Sequence, residues 1–256
     1  MKLGDYVKFR VKSVNAHGLH SPFMYKLATE CFYDKKKYSE YQKLKSYHYE
    51  LLQQNQELQI NDLGAGSRKF KSNRRKIKDI SKISGSNLQD MKLYYRIAKY
   101  FQPQNILELG TSLGKASYSF SLGNPFATII TVEGDFNIAL TAQKLLSSKQ
   151  ESIKVVHQNF DDFLDELNQT NKKFDLILMD GNHRLNPTLK YFEKLLKHIH
   201  KDTVIMVDDI YWSDEMKQAW QHLQQHPAVR QSIDTFHFGM LFFRPEQFKQ
   251  NFMIRI

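Results

Sequence analysis

The sequence predicts an α/β protein: a seven-stranded, mostly parallel sheet with helices on both faces, an antiparallel C-terminal hairpin and an N-terminal helical extension. Three observations predict it. From Asn105 onward short apolar runs alternate with amphipathic stretches, the order of strands and crossover helices. Runs such as LILM (176–179) and VIMV (204–207) are apolar without interruption, as strands buried on both faces require. VRQSIDTF and HFGMLFFR (229–244) then follow each other with only a tight connection, which breaks the alternation and makes a hairpin.

In chain order, the first 60 residues scatter aromatics such as Phe9, Phe23, Tyr38 and Tyr47 among few β-branched residues, which predicts short helices and loops. Within them, SVNAHGLHSPFMY (13–25) places His17 and His20 near each other, with no Cys or further carboxylate at ligand spacing. It reads as a structural or substrate-covering loop. RKFKSNRRKIKDISKISGSN (68–87) is basic and Ser/Gly-rich, the composition of a mobile or partner-bound loop. LQDMKLYYRIAKYF (88–101) has Met91, Tyr94, Tyr95, Ala98 and Phe101 at helical spacing before Pro103. The strands follow as NILELG (105–110), ATIITVEG (127–134), SIKVVHQ (152–158), FDLILMD (174–180) and TVIMVDD (203–209). The helix SDEMKQAWQHLQQH (213–226) precedes the hairpin. Residues 1–87 thus form the extension and 88–256 the main domain.

With 256 residues, 41% hydrophobic and 25% charged, the chain can bury a sizeable core, which excludes disorder and a small disulfide scaffold. The one cysteine, Cys31, cannot close an internal disulfide and fits a reducing compartment. MKLGDYVKFRVKS lacks an apolar secretory core, and no apolar run approaches the roughly 20 residues that cross a bilayer. The expectation is a soluble, cytoplasmic protein with no membrane span. Charge is uneven: residues 1–104 carry 21 Lys+Arg against 9 Asp+Glu, and residues 105–256 carry 16 against 18. Such asymmetry marks either an anionic partner or a lysine-rich solvated face.

Two glycine-bearing segments compete as a nucleotide loop, INDLGAGSR (60–68) and ILELGTSLGKAS (106–117). The second has strand before and helix after, so its backbone N–H groups and helix dipole face a bound cofactor. The next strand ends in Glu133, 25 residues after Glu108, where a carboxylate can accept from both hydroxyls of a ribose. DLGAGS runs instead into Lys and Arg with no second strand, and reads as a structural turn. A dinucleotide fingerprint needs glycine at 112, where Ser112 stands.

The pattern E-x-G-x-x-x-G, the acid ending the next strand and the seven-strand order resemble the class I S-adenosylmethionine-dependent methyltransferases, which have a Rossmann-like fold, over about residues 88–244. The resemblance implies that Glu108, Gly110, Thr111, Ser112, Gly114 and Ser117 surround the methionine part of S-adenosylmethionine and that Glu133 holds its ribose. It implies an adenine site after the third strand, where Phe160 stacks and Asp161 accepts from the amino group; helix capping by Asp161 is the alternative.

The fourth and fifth strands end in MDGNHR (179–184) and VDDIYW (207–212), so Asp180, Asp208 and Asp209 can converge. Three such carboxylates suit Mg²⁺ or another hard divalent cation, which would acidify a substrate hydroxyl. Here the chain resembles the metal-dependent O-methyltransferases of the catechol type and a related group with D-G-x-H after the fourth strand, met by Asp180, Gly181, Asn182 and His183. The catechol type has a lysine base where His183 stands and Asp-Asn where this chain has Asp208-Asp209. The resemblance implies His183 as general base, with Asp180 beside it at cofactor and substrate. Alternatives stay open: Asp180 orders its loop, Asp209 caps the following helix, and Tyr211 and Trp212 either wall a pocket or pack in the core.

These features imply O-methylation of a small hydroxylated acceptor. An RNA methyltransferase using the basic half is the rival reading, though no RNA-binding module is recognised; a non-catalytic cofactor-binding protein is the third. The oligomeric state is not legible, and a homodimer is compatible with the sequence.

Overall fold

The computed structural model describes residues 3–61, 72–83 and 86–256. In chain order the N-terminal elements are α1 (Leu3–Lys12), α2 (Pro22–Leu27), α3 (Glu40–Gln53), β1 (Glu57–Gln59), β2 (Arg74–Lys76), α4 (Ile77–Ile83) and α5 (Leu88–Phe101). There follow β3 (Asn105–Leu109), α6 (Lys115–Gly123), β4 (Thr128–Glu133), α7 (Phe136–Ser147), β5 (Ile153–His157) and α8 (Phe160–Leu167). The chain ends with β6 (Leu176–Met179), α9 (Leu185–Leu195), β7 (Val204–Asp208), α10 (Asp214–Gln225), β8 (Gln231–Asp234), β9 (Phe238–Phe242) and β10 (Gln250–Met253). The main sheet has eight strands and is mostly parallel, so the predicted α/β class holds with one strand more than expected. The chain groups into two compact units, residues 34–160 and residues 1–33 with 161–256; the boundary expected at residue 87 falls inside the first.

In the unit 34–160, β3, β4 and β5 lie side by side in parallel, with Glu108 opposite Thr131 and Glu133 opposite His157. Helix α5 has the predicted bounds because both ends are marked. Asn87 and Asp90 form a reciprocal capping box, and Gln102 leaves the helix in the left-handed region (φ 49°) just before Pro103. It packs closely on α6, where a Cβ on Gly123 would stand 2.3 Å from the Tyr95 carbonyl oxygen, so only glycine permits the approach. The basic run takes a different form from the loop expected. Its described part is β2, paired antiparallel with β1 so that Leu58 opposes a buried Arg75, followed by α4. A second strand therefore does follow the DLGAGS segment; Asp62–Gly66 and Arg68–Lys71 lie outside the described residues.

In the other unit, β6 and β7 are parallel, β7 pairs antiparallel with β9, and β9 with β8, which is the predicted hairpin. The strand not foreseen, β10, adds in parallel to β8. The segment 13–25 is fastened here as well: Val14 forms a bridge with Ile254, Asn15 caps the turn at Ala16–Gly18, and Ser21 caps α2 with Pro22 at its first position. Among the described residues neither His17 nor His20 belongs to a group of three or more side chains that could hold a metal ion. Among the described residues no helix is long and apolar enough to cross a membrane.

Candidate active site

The glycine loop forms because β3 ends at Leu109 and the chain must turn at once into α6. Three residues in five adopt positive φ: Gly110 (110°), Ser112 (48°) and Gly114 (70°). The N–H groups of Gly110 and Thr111 both donate to the Val132 carbonyl, at 2.9 and 3.3 Å, which ties the loop to β4. Gly114 closes the turn by donating to Thr111 O at 2.8 Å. A Cβ on Gly114 would lie 2.6 Å from Leu146 Cδ1, so glycine is needed there for space as well as for φ.

Glu133 ends β4 and holds the loop from the other side. One carboxylate oxygen accepts the Ser112 N–H at 2.9 Å and the other the Asp135 N–H at 3.0 Å. Burial raises its pKa, and those backbone donors oppose the rise. Glu108 and Ser117 are brought together as well, but inside the protein, 1% and 0% exposed, where the Ser117 hydroxyl donates to the Glu108 carboxylate. Thr111 shares a 2.6 Å hydrogen bond with Thr131 next to them. Burial pushes the Glu108 carboxyl up to about 7. Of the residues expected around the cofactor, Gly110, Ser112 and Glu133 keep surface, whereas Glu108, Thr111, Gly114 and Ser117 are buried and shape the loop from beneath.

Two supports of this loop carry no sequence signal. The Tyr47 hydroxyl on α3 donates to Leu113 O at 2.6 Å, and the buried Lys115 ammonium donates to Ser81 O and Ser86 O at 2.8 and 2.9 Å. Desolvation lowers the Lys115 pKa to about 8. A third feature lies in E-G-D-F (133–136), directly after β4. Asp135 caps α7 through the Ile138 N–H at 2.8 Å, which leaves Phe136 58% exposed three residues after Glu133, edge-on to His157 with centroids 5.3 Å apart. Phe160 opens α8 and is half-buried. Asp161 is neither a helix cap nor an uncommitted acceptor. It stands inside the first turn of α8 and pairs with Lys190 at 2.6 Å and Lys194 at 3.6 Å, and its bond to Lys190 lowers its pKa.

In the unit 1–33 with 161–256, the segment after β6 turns through Asn182 (φ 51°), whose amide donates to Tyr191 Oη at 3.0 Å. His183 Nε2 stands 3.6 Å from Asp180 Oδ1, and its ring packs against Trp212 with centroids 5.9 Å apart. Burial lowers the His183 pKa, and the charge of Asp209 pulls it partly back. After β7, Asp209 takes φ 55° and its carbonyl accepts the Trp212 N–H at 2.8 Å. The helix cap is Ser213, which accepts the Met216 N–H at 3.1 Å, so Asp209 does not cap α10. Tyr211 and Trp212 part company: Tyr211 stacks on Phe236 and donates to Asp234 at 2.9 Å in the core, while Trp212 stays beside His183.

The expected cation site does not fit. Among the described residues no group of three or more His, Cys, Asp or Glu side chains is placed to hold a metal ion, so Asp180, Asp208 and Asp209 do not form the predicted triad. Asp209 leaves the strand in the left-handed region (φ 55°), and its charge and the Asp180 carboxylate both act at His183.

Residues 107–210 match a family described as "Methyltransferase domain". Among solved structures, the chain resembles the O-methyltransferase TomG from Streptomyces achromogenes, involved in tomaymycin synthesis and in complex with SAM. The TM-score is 0.58 at 18% identity, over 82% of this chain and 91% of that one. It resembles an O-methyltransferase from Bacillus cereus in complex with SAH, with TM-score 0.56 at 17% identity over 84% and 99% of the two chains. The SAH-bound methyltransferase PaMTH1 of Podospora anserina gives 0.58 at 14% identity over 88% and 97%. No curated protein matches the chain in sequence.

Proposed function

We propose that this chain, with its methyltransferase domain over residues 107–210, is an S-adenosylmethionine-dependent O-methyltransferase acting on a small hydroxylated molecule. The observation that carries the reading is the Glu133 carboxylate, anchored by the N–H groups of Ser112 and Asp135 across the glycine loop. The donor set suits the cofactor. The Glu133 carboxylate has accepting capacity beyond its backbone bonds, which matches a ribose diol, and the loop leads into the N-terminus of α6. Phe136 offers an exposed aromatic face for a purine.

When bound, the cofactor supplies an electrophilic methyl group on a sulfonium centre. Most of the acceleration then comes from alignment, which is worth roughly 7–11 kcal/mol where the reacting atoms are held in line. The role we assign to His183 is to take the acceptor hydroxyl proton on its imidazole, which its burial keeps neutral near pH 7. Asp180, 3.6 Å away, stabilises the imidazolium that results. No step is routed through a cation, because the carboxylates are not arranged to hold one.

Calorimetric titration with S-adenosylhomocysteine tests the reading. Micromolar binding that Glu133→Ala weakens by about tenfold to a hundredfold or more, followed by S-adenosylhomocysteine release on a panel of phenols and other hydroxylated acceptors, is the expected result. Absent binding in the unaltered protein overturns it.

A further inference from the structure

Helix α1 is held to the protein by one face. Phe9 is buried, Tyr6 and Phe9 both pack on Phe236 with centroids 5.0 and 5.4 Å apart, and Asp5 pairs with Lys217 at 2.9 Å. At 100° per residue the opposite face carries Leu3, Val7 and Val11 in one ridge at i, i+4 and i+8. All three are exposed, at 79%, 53% and 81%. The same geometry sets Arg10 on one flank of the ridge and Lys8 on the other, with Lys12 farther round toward the attached face, all exposed, while Asp5, the only acid of the helix, is turned inward.

We propose that this face of α1 docks on an anionic lipid bilayer, with the helix lying in the plane of the interface. An apolar ridge between two cationic flanks matches a surface that offers acyl chains below a layer of negative headgroups. A second copy of the chain fits poorly, since face-to-face packing of two α1 helices sets Lys8, Arg10 and Lys12 against their own kind. Nucleic acid would answer the charge and leave Leu3, Val7 and Val11 without an apolar partner. The proposal is independent of the reaction assigned above.

Co-sedimentation of the full chain with vesicles of phosphatidylcholine, with and without phosphatidylglycerol, tests it. Expected is binding to the anionic vesicles that falls with added salt. Val7→Asp/Val11→Asp and Lys8→Glu/Arg10→Glu should each weaken it by about tenfold or more with unchanged S-adenosylhomocysteine affinity. If a variant melts early, the salt series and the neutral-vesicle comparison on the unaltered protein decide. No binding to anionic vesicles, or equal binding to neutral ones at all salt concentrations, overturns the proposal. So does binding that both folded variants retain. A concentration-dependent dimer or a nucleic-acid complex lost in the same variants, without vesicle binding, also overturns it and names the other occupant.

Discussion

Ser112 and Glu133 are 21 residues apart in sequence, and the backbone N–H of one donates to the carboxylate of the other at 2.9 Å. The bond fixes a non-glycine residue at φ 48° and orients the carboxylate in the same stroke. Glu133→Ala should therefore loosen the loop as well as remove the ribose acceptor. Hydrogen bonds to a charged group are worth about 1.5–3 kcal/mol, so S-adenosylhomocysteine affinity should fall by about tenfold to a hundredfold or more. Glu133→Gln, which keeps one oxygen, should fall less. Calorimetry on both variants checks the order, and equal losses would count against it.

Gly114→Ala meets two obstacles, a φ of 70° and the Leu146 side chain 2.6 Å from the new methyl group. Overpacking and left-handed strain together predict a loss of about 2–4 kcal/mol in denaturant unfolding. Leu146→Ala added to Gly114→Ala should relieve the first obstacle alone. The double variant should then lose less than the sum of the single ones.

Glu108 gives stability a pH dependence of definite sign. Burial lifts its carboxyl from an ordinary 4.5 to about 7, helped by the Glu133 charge and opposed by the Ser117 and Thr131 hydroxyls. Between those values the folded protein keeps a proton that the unfolded chain has released, so stability falls as pH rises through that window. Glu108→Gln keeps the acceptor for Ser117 and cannot ionise. Its Tm should overtake that of the unaltered protein between pH 5 and 8, by about 3 °C or more. Parallel Tm profiles would contradict the assignment.

His183 makes the opposite demand on solvent pH. Its lowered pKa predicts kcat/KM rising through a pH below the ordinary histidine range and level above it. His183→Ala should cut kcat by about a hundredfold or more. Because Asp180, Asp208 and Asp209 do not group, exhaustive EDTA treatment should leave turnover unchanged. Loss restored by Mg²⁺ would show that the acids regroup around the ion.

How far the molecule is legible in its sequence depends on what each element presents. The strands β6 and β7 announce themselves as continuous apolar runs, β3 to β5 by the regular alternation of apolar runs with helices, and α5 because Asn87, Asp90 and Pro103 mark its ends. By contrast β10, QNFM, buries chiefly Phe252 among polar neighbours, so it shows no alternation. β2 is RRK, whose buried arginine defeats any hydropathy pattern. The glycine loop and the acid ending the next strand are legible as a spacing, whereas the bond of Ser112 to Glu133 lies beyond the paired residues of β3 and β4. The relation of Asp180, Asp208 and Asp209 is not legible, because a strand-end position does not foretell the left-handed turn at Asp209. Contacts such as Tyr47 with Leu113 leave no trace, since a single hydroxyl 66 residues away has no period.

Val14 accepts the Arg255 N–H at 3.1 Å and donates to Met253 O at 2.9 Å, and the Tyr33 hydroxyl donates to Arg255 O at 2.5 Å. The first 33 residues thus belong with the last ones, and residues 34–160 form a unit interposed between them. On the ribosome the N-terminal arm emerges first and must wait for its C-terminal partners, Lys217 and Phe236 for α1 and Met253 and Arg255 for Val14. The interposed unit has all of its own residues long before that. Folding during synthesis should run from the middle of the chain outward, with the arm exposed until release, and a nascent chain stalled short of residue 250 should be cut by protease within residues 1–33.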